Sequence, residues 1–377
     1  MERRRIAIAC QGGGSQCAFV AGALRGLFAR GVHERFEIVG LSGTSGGAFT
    51  AALAWTGLLE QAAGDQVDIG GRILDCWRDL TAQTPQEILL DGVCVGLARF
   101  TERGWIPSVA MSPSSLGFQL WSHVVSQQIG RPSFTDLRAL LEKHLRLEAL
   151  PRLVGPDSPV LLVGAGDVLD GTIKVFSSAR REISLDALLA SAAIPNLFPA
   201  ASVEGHSYWD GIFASNPPVA GFLQSSLAGT ARRPNEIWIL QVNRARHETV
   251  PETPSDISDR RNNLAGNLSL QHELQMIEVV NVLLREGSLS DEVRARFGFD
   301  APEPIAVRFI RMSQELQEGL DYPSKLSRQP RHIERLLADG ERQANVFLDE
   351  LGGFERPGAP VVVESVDSVD GPPPSFH

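Results

Sequence analysis

The chain has 377 residues, 43% of them hydrophobic, and a formal net charge of −10 at pH 7. This length and this hydrophobic fraction suffice for one large domain or two with a substantial core. The negative charge argues against a nucleic-acid-binding protein and provides no overall attraction to anionic membranes.

Cysteine usage and the N-terminus indicate where the protein works. The four cysteines show no metal-ligand spacing and no dense disulfide framework, and Cys10 lies in an apolar segment. Free buried thiols in a reducing compartment are therefore expected. The N-terminus lacks the long apolar region of a cleavable signal, and no run approaches the roughly 20 apolar residues that cross a bilayer. We predict a cytoplasmic protein without cofactor or metal, and leave peripheral membrane contact open.

The first predicted strand, over 5–10, leads into a glycine-rich loop and then a helix over about 16–30. The glycine loop, as we call it below, consists of Gly12, Gly13, Gly14 and Ser15. Successive bare amides at a strand-to-helix junction form a concavity that binds anions. We expect either an oxyanion hole for an ester carbonyl or a phosphate cradle there. The dinucleotide and P-loop fingerprints do not fit, because Cys17 replaces the last glycine of the former and no Gly-Lys-Ser/Thr follows.

A second strand-to-helix junction follows. Residues 43–47 read G-T-S-G-G, between a predicted buried strand over 37–41 and a predicted helix over 48–54. A serine in this G-x-S-x-G context is typical of a nucleophile elbow. Ser45 is therefore the candidate nucleophile.

The glycines of this elbow have a predicted role. Gly43 and Gly47 leave space for a tight turn in strained dihedral angles. The amides at the start of the following helix, including that of Gly46, would face an anion formed beside Ser45. The elbow and the glycine loop would open on the same edge of a parallel sheet.

The base that would activate Ser45 is not evident among the histidines. None of the eight has a catalytic context: His33, His123, His144, His206, His247, His272, His332 and His377. Asp210, which precedes a glycine, is the alternative, although such an aspartate is most often a turn residue. A carboxylate with a reference pKa of ~3.9 needs partial burial to become an effective base. The neighbouring aromatic residues Tyr208, Trp209 and Phe213 could provide it.

Four blocks together resemble the patatin-like phospholipase family. They are the glycine triplet at 12–14, the elbow at 43–47, A-S-A-A-I-P at 190–195 and the D-G dipeptide at 210–211. They occur in the family's order, and the resemblance extends over about 6–243.

The resemblance implies a Ser–Asp dyad that works without histidine. Ser45 would be the nucleophile, Asp210 the general base, and the amides of Gly13 and Gly14 the oxyanion donors. The fold implied is a three-layer α/β/α sandwich with a mostly parallel central sheet. The activity implied is lipid acyl hydrolysis of the phospholipase A, lysophospholipase or esterase type.

Gln16 and Cys17 depart from the family pattern, in which many members carry Arg or Lys and then Gly after the glycine triplet. Without that cation, one contact to an anionic headgroup is missing. We therefore predict that neutral esters or lysolipids are cleaved at least as well as anionic diacyl phospholipids.

Alternation of strand and helix continues along the chain and predicts a mostly parallel sheet covered on both faces. We interpret residues 1–355 as one domain and the proline-rich residues 356–377 as a mobile tail. The later predicted strands are 160–164, 172–176, 236–242 and 305–310, and the later predicted helices are about 185–193 and 268–284.

The segment from about 85 to 131, called the insertion below, interrupts this alternation. It is rich in apolar residues and broken by glycine and proline. It could form a lid or acyl-chain groove over Ser45, an interfacial membrane contact, or an ordinary helical subdomain packed on the core. The exposure of Trp105 and Trp121 would separate these possibilities.

Three functions are compatible with the sequence. The first is a lipid acyl hydrolase acting on lipid or lysolipid esters through Ser45 and Asp210. The second is an ordinary Ser-His-Asp α/β-hydrolase esterase, for which one histidine would be indispensable. The third is a non-catalytic lipid-binding scaffold.

Overall fold

A mostly parallel sheet of eight strands forms the centre of the protein. The computed structural model describes residues 3–106, 115, 131–195, 197–229, 233–296, 299 and 303–351. The strands are β1 (Arg5–Cys10), β2 (Glu37–Gly43), β3 (Val160–Asp167), β4 (Ile173–Ser177), β5 (Ala201–Val203), β6 (His206–Asp210), β7 (Glu236–Gln241) and β8 (Ala306–Arg311). Their order across the sheet is β5-β6-β3-β2-β1-β7-β8, and β4 also pairs with β3.

The helices flank this sheet and connect its strands. They are α1 (Ala18–Ala29), α2 (Val32–Arg35), α3 (Gly46–Ala62), α4 (Ile69–Leu80), α5 (Pro85–Glu102), α6 (Pro132–Thr135), α7 (Leu137–His144), α8 (Leu150–Leu153), α9 (Leu185–Ser191), α10 (Ser225–Ala228), α11 (Pro254–Arg285), α12 (Asp291–Arg296), α13 (Gln314–Glu318) and α14 (Pro330–Glu350). Within the part of the chain that the structure describes, no helix combines the length and the apolar character needed to cross a bilayer.

The sheet separates two hydrophobic cores, one on each face. Ile6 and Ile8 of β1 lie in one core, and Ala7 and Ala9 lie in the other. This follows from the strand geometry, because successive side chains of a strand point to opposite faces. β1, β2, β3, β7 and β8 run parallel, whereas β4, β5 and β6 pair antiparallel. The predicted three-layer α/β/α sandwich is confirmed.

Two elements begin later or earlier than predicted. The helix predicted from residue 16 starts as a 3-10 turn, Gly14–Cys17, and becomes α-helical only at Ala18. The helix predicted at 268–284 is the C-terminal half of α11, which begins at Pro254 after the N-cap Thr253. The first half of α11 is polar on most of its surface, so hydrophobic spacing did not reveal it.

The two ends of the insertion are fastened together. α5 begins with a capping box in which Thr84 and Glu87 bond reciprocally. The Glu87 carboxylate also accepts hydrogen bonds from the backbone N–H and the Nε of Arg131, at 3.0 and 3.1 Å. Trp105 is 69% exposed, and the nature of the insertion stays a prediction. Trp121 and the tail at 356–377 lie outside the described residues.

Candidate active site

Ser45 lies where β2 gives way to α3. β2 ends at Gly43 and α3 begins at Gly46, so only Thr44 and Ser45 form the turn. Ser45 has φ 54° and ψ −127°, a region that residues with a side chain rarely occupy. The residue is only 5% exposed. This strand–turn–helix geometry is that of a nucleophile elbow.

The elbow glycines are required by close backbone contacts. A Cβ on Gly47 would lie 2.3 Å from the carbonyl oxygen of Cys10. A Cβ on Gly43 would lie 2.5 Å from the carbonyl oxygen of Gly47. Both distances are shorter than a Cβ atom approaches another heavy atom in proteins, so a side chain at either position would displace the backbone around Ser45.

Asp210 ends β6, which pairs antiparallel with β3, and a 3-10 turn over Gly211–Phe213 follows. The Ser45 side chain lies close enough to the Asp210 carboxylate to act on its pKa. The carboxylate accepts a hydrogen bond from the Ile212 N–H at 2.9 Å. Asp210 is 1% exposed. Burial raises the pKa of Asp210 to about 7, although the Ser45 side chain, the Ile212 N–H and the nearby Lys325 act in the opposite direction.

Two groups of the glycine loop are bound within the protein. The Gly12 N–H donates to Oδ1 of Asn216 at 2.6 Å. The Ser15 hydroxyl donates to the carbonyl oxygens of Ser324 and Lys325, each at 3.0 Å. Both groups therefore hold the loop in place on its neighbours.

Other amides of this region are better disposed to face a ligand. Gly14 opens its 3-10 turn and Gly46 opens α3, so neither helix supplies an acceptor for these N–H groups. The two segments are in contact, since a Cβ on Gly46 would lie 2.8 Å from the carbonyl oxygen of Gly14. Burial raises the pKa of the Cys17 thiol to about 12, and the amide of Gly13 is among the groups that oppose this shift.

Comparison with protein families gives a match over the region that contains these elements. The model of patatin-like phospholipases matches residues 8–223. The chain belongs to the patatin-like phospholipase family. The match includes the glycine loop, the elbow and Asp210, and the resemblance predicted from the sequence is confirmed. The family consists of serine hydrolases that act on lipid esters.

A similar chain of low overall likeness is found among solved structures. The match is to a 1.92 Å crystal structure of full-length SpcU in complex with full-length ExoU from the type III secretion system of Pseudomonas aeruginosa. Identity is 17%, the TM-score is 0.27, and the alignment covers 78% of this chain and 59% of that chain. The present chain thus aligns with about three fifths of its structural neighbour. Comparison with curated proteins finds no significant match.

Lys325 brings a positive charge to the glycine loop of this patatin-like protein, and the sequence interpretation missed it. Its Nζ donates to Oδ1 of Asn243 at 2.6 Å and to Oδ1 of Asn262. Asn243 in turn donates from Nδ2 to the Gly12 carbonyl oxygen at 3.1 Å. Burial lowers the pKa of Lys325 to about 8, and the nearby Asp210 acts to raise it. The departure at position 16 therefore does not leave the site without a cation.

Ser191 is a second residue whose role the sequence did not reveal. Its hydroxyl accepts a hydrogen bond from the Ser45 N–H at 3.0 Å and donates to the Gly164 carbonyl oxygen at 2.6 Å. The residue is completely buried. The A-S-A-A-I-P block, which contains Ser191, was the signal that could have identified it.

The described histidines take no part in these contacts. His144 bonds to Asp79, and His206 bonds to Asp167. None of the histidines in the described ranges hydrogen-bonds to Ser45 or Asp210: His33, His144, His206, His247, His272 and His332. His123 and His377 lie outside those ranges.

A group of three potential metal ligands occurs elsewhere. Asp167, Asp170 and His206 each offer a ligand atom within 4.8 Å of the others. Oδ1 of Asp167 accepts hydrogen bonds from the amides of Leu169 and Asp170, both at 3.0 Å, and Oδ2 contacts Nδ1 of His206 at 3.0 Å. These contacts account for the carboxylate as part of the turn between β3 and β4, so we assign it no metal.

Proposed function

We propose that the protein is a lipid acyl hydrolase that cleaves carboxylic esters of lipids through a Ser45–Asp210 dyad. The observation that carries this proposal is the proximity of the Ser45 side chain to a carboxylate that is almost completely buried. Membership of a family of lipid-ester hydrolases supports the substrate class.

The chemistry needs a base, and burial makes Asp210 a better one. Serine is a weak nucleophile until another group takes its proton. With a pKa raised to about 7, the Asp210 carboxylate is matched to that transfer near neutral pH. Asp210 accepts the Ser45 proton as Oγ attacks the ester carbonyl, and then passes it to the departing alcohol. In the second half, water gives a proton to Asp210 and attacks the acyl-enzyme, and the proton returns to Ser45.

The developing oxyanion would be stabilised by backbone amides beside the elbow. Gly13, Gly14 and Gly46 are the candidates, whereas Gly12 and Ser15 anchor the loop. A preorganised donor of this kind is worth on the order of 3 kcal/mol of transition-state stabilisation.

We also infer that the insertion contacts the lipid away from Ser45 and Asp210. Leu89, Val93, Leu97 and Phe100 are exposed and recur at helical spacing along one face of α5. We infer that this face meets acyl chains or a membrane surface, and that the enzyme works in the cytoplasm on lipid or lysolipid esters.

The test combines a covalent probe with a product analysis. Folded wild-type protein should react with a fluorophosphonate probe and should release fatty acid or lysolipid from a mixed lipid extract, measured by mass spectrometry. Ser45→Ala should abolish both, and Asp210→Asn should abolish turnover. The matched controls are Ser288→Ala and Asp157→Asn, which change exposed residues.

Failure of wild-type protein to react with the probe would favour the non-catalytic scaffold. Loss of activity on substitution of a single histidine, with the fold intact, would favour a Ser-His-Asp hydrolase.

A further inference from the structure

A cavity of about 300 Å³ lies beside the glycine loop. The segment after β7, the first turns of α11 and residues 317–325 form its walls. Gln16, Val242 and Lys325 also line it, so it adjoins the loop directly. A Cβ on Gly13 would lie 2.7 Å from Cγ1 of Val242, which shows how closely the loop and this wall pack.

The cavity is lined mainly by polar and charged side chains. Its cations are Arg244 and Lys325, and its carboxylates are Asp256, Asp259, Glu318 and Asp321. An acyl chain would remove these charges from water without giving them partners, at a high energetic cost. The cavity is therefore suited to a polar occupant.

Some of these charges are already engaged. Asp321 pairs with Nε of Arg99 at 2.7 Å, and Asp259 accepts the Tyr322 N–H. Among the described residues, neither Arg244 nor Asp256 has an ion-pair partner.

Lys325 retains donor capacity toward the cavity. Its ammonium group has three N–H donors, and the two asparagine oxygens described above take two of them. Burial of the histidine side chain lowers the pKa of His247, which also lines the cavity, so that ring adds little positive charge near neutral pH.

We propose that this cavity binds the headgroup of a zwitterionic phospholipid, with Arg244 and Lys325 receiving its phosphate and Asp256 and Glu318 receiving its ammonium group. The inference rests on the proposed function, because it names the substrate class of that same site. Carboxylates outnumber cations in the lining, so a purely anionic headgroup would meet net repulsion. Lys325 connects the two sites, since its charge acts on both the cavity and Asp210.

The first experiment compares headgroups that share identical acyl chains. Phosphatidylcholine and phosphatidylglycerol are presented in mixed micelles with a neutral detergent, and a p-nitrophenyl ester reports on the dyad without a headgroup. Wild-type protein should cleave phosphatidylcholine with a kcat/KM roughly tenfold above that for phosphatidylglycerol, the effect of one charge-assisted contact.

Two variants separate the phosphate and ammonium contacts. Arg244→Gln should lower kcat/KM for both phospholipids relative to the p-nitrophenyl ester, because phosphate is common to both. Asp256→Asn should lower the value for phosphatidylcholine and raise that for phosphatidylglycerol, because it removes an attraction in one case and a repulsion in the other. The controls are Arg246→Gln and Glu252→Gln, at exposed positions nearby that do not line the cavity. They should leave kcat/KM for each phospholipid, relative to that for the p-nitrophenyl ester, unchanged.

A binding measurement keeps this inference separate from the hydrolase proposal. Ser45→Ala protein is titrated with glycerophosphocholine and with glycerol 3-phosphate by calorimetry. Tighter binding of the former, weakened by Arg244→Gln but not by Arg246→Gln, supports the headgroup site even if no ester is hydrolysed.

Equal cleavage of the two phospholipids by an active enzyme would overturn the headgroup site and leave the hydrolase proposal standing. Equal kcat/KM values of Arg244→Gln and Arg246→Gln for the phospholipids would also overturn the headgroup site without affecting the hydrolase proposal. If esters are not hydrolysed, the proposed function fails, and absence of glycerophosphocholine binding then removes the headgroup site as well.

Discussion

The hydroxyl of Ser191 accepts a hydrogen bond from the backbone N–H of Ser45 at 3.0 Å. Ser191 also donates to the carbonyl oxygen of Gly164 in β3, so one hydroxyl ties the strained elbow to the neighbouring strand. Ser45 holds its positive φ within this arrangement. Ser191 is thus a positioning residue for the proposed nucleophile.

Ser191→Ala should lower kcat roughly tenfold with little change in KM, because it leaves the buried Ser45 amide without its acceptor and loosens the elbow. Steady-state kinetics on a p-nitrophenyl ester measure this, and Ser191→Thr should restore part of the loss. Ser184→Ala removes the N-cap of the same helix and should cost about 1 kcal/mol of stability without the kcat effect. Equal kcat in the Ser191 and Ser184 variants would contradict the positioning role.

The pH dependence of catalysis should report Asp210. Because the carboxylate must be ionised to accept a proton, kcat/KM should rise with pH to a plateau, with a midpoint near the pKa of about 7. Lys325 acts to lower that pKa, so Lys325→Met should move the midpoint to higher pH, whereas Lys325→Arg should keep it near the wild-type position. The pH profiles of the three proteins, with folding checked by circular dichroism, test this. An unshifted midpoint in folded Lys325→Met would show that the two charges are not coupled.

The raised pKa of Asp210 also has a consequence for stability. The folded state binds this proton more tightly than the unfolded chain, whose aspartate has a pKa of ~3.9. Its stabilising contribution is therefore complete below that value and is lost as pH rises through about 7. Asp210→Asn, which stays neutral, should gain stability over wild type above pH 7 by on the order of 4 kcal/mol, and less at lower pH.

Urea denaturation at several pH values measures this difference, with Asp157→Asn as the control. A difference that does not depend on pH would mean that Asp210 is not the group responsible.

The contact between Glu87 and Arg131 should stabilise the protein in the opposite pH range. Burial raises the pKa of Glu87, but hydrogen bonds from Gln83, Arg131 and Thr84 outweigh it and lower the pKa to about 2. The stabilising contribution is therefore present above the unfolded value of ~4.3 and is lost as pH falls toward 2. Glu87→Gln should destabilise by roughly 2 kcal/mol at neutral pH and by less in acid.

Thermal unfolding at neutral and acidic pH would measure that loss. Glu142→Gln, at an exposed position, is the control and should be close to wild type at both. Equal melting temperatures of the two variants at neutral pH would show that the Glu87 contact does not contribute.

Local signals explain what could be predicted from the sequence. β1 and β2 are short apolar runs followed by glycine-rich turns. This local pattern is enough to predict a strand-to-helix junction after each strand. β5 and β6 were not predicted, because they are short, partly exposed strands. Their pairing with each other and with β3 is a property of the folded sheet.

The long-range contacts that hold the glycine loop in place could not be predicted from the sequence in the same way. Ser15 and Lys325 are 310 positions apart and meet only after α14 and its preceding segment pack on the sheet. Asn216 and Gly12 are 204 positions apart. A lysine and an asparagine in polar surroundings carry no local signal for such contacts. Ser45 and Asp210 were each singled out from local context, and the family resemblance supplied their pairing as a predicted dyad.

The joining of Glu87 to Arg131 brings the two ends of the insertion together at one place on the protein. Because these ends already meet, residues added or removed between them would leave the register of the strands on either side unchanged.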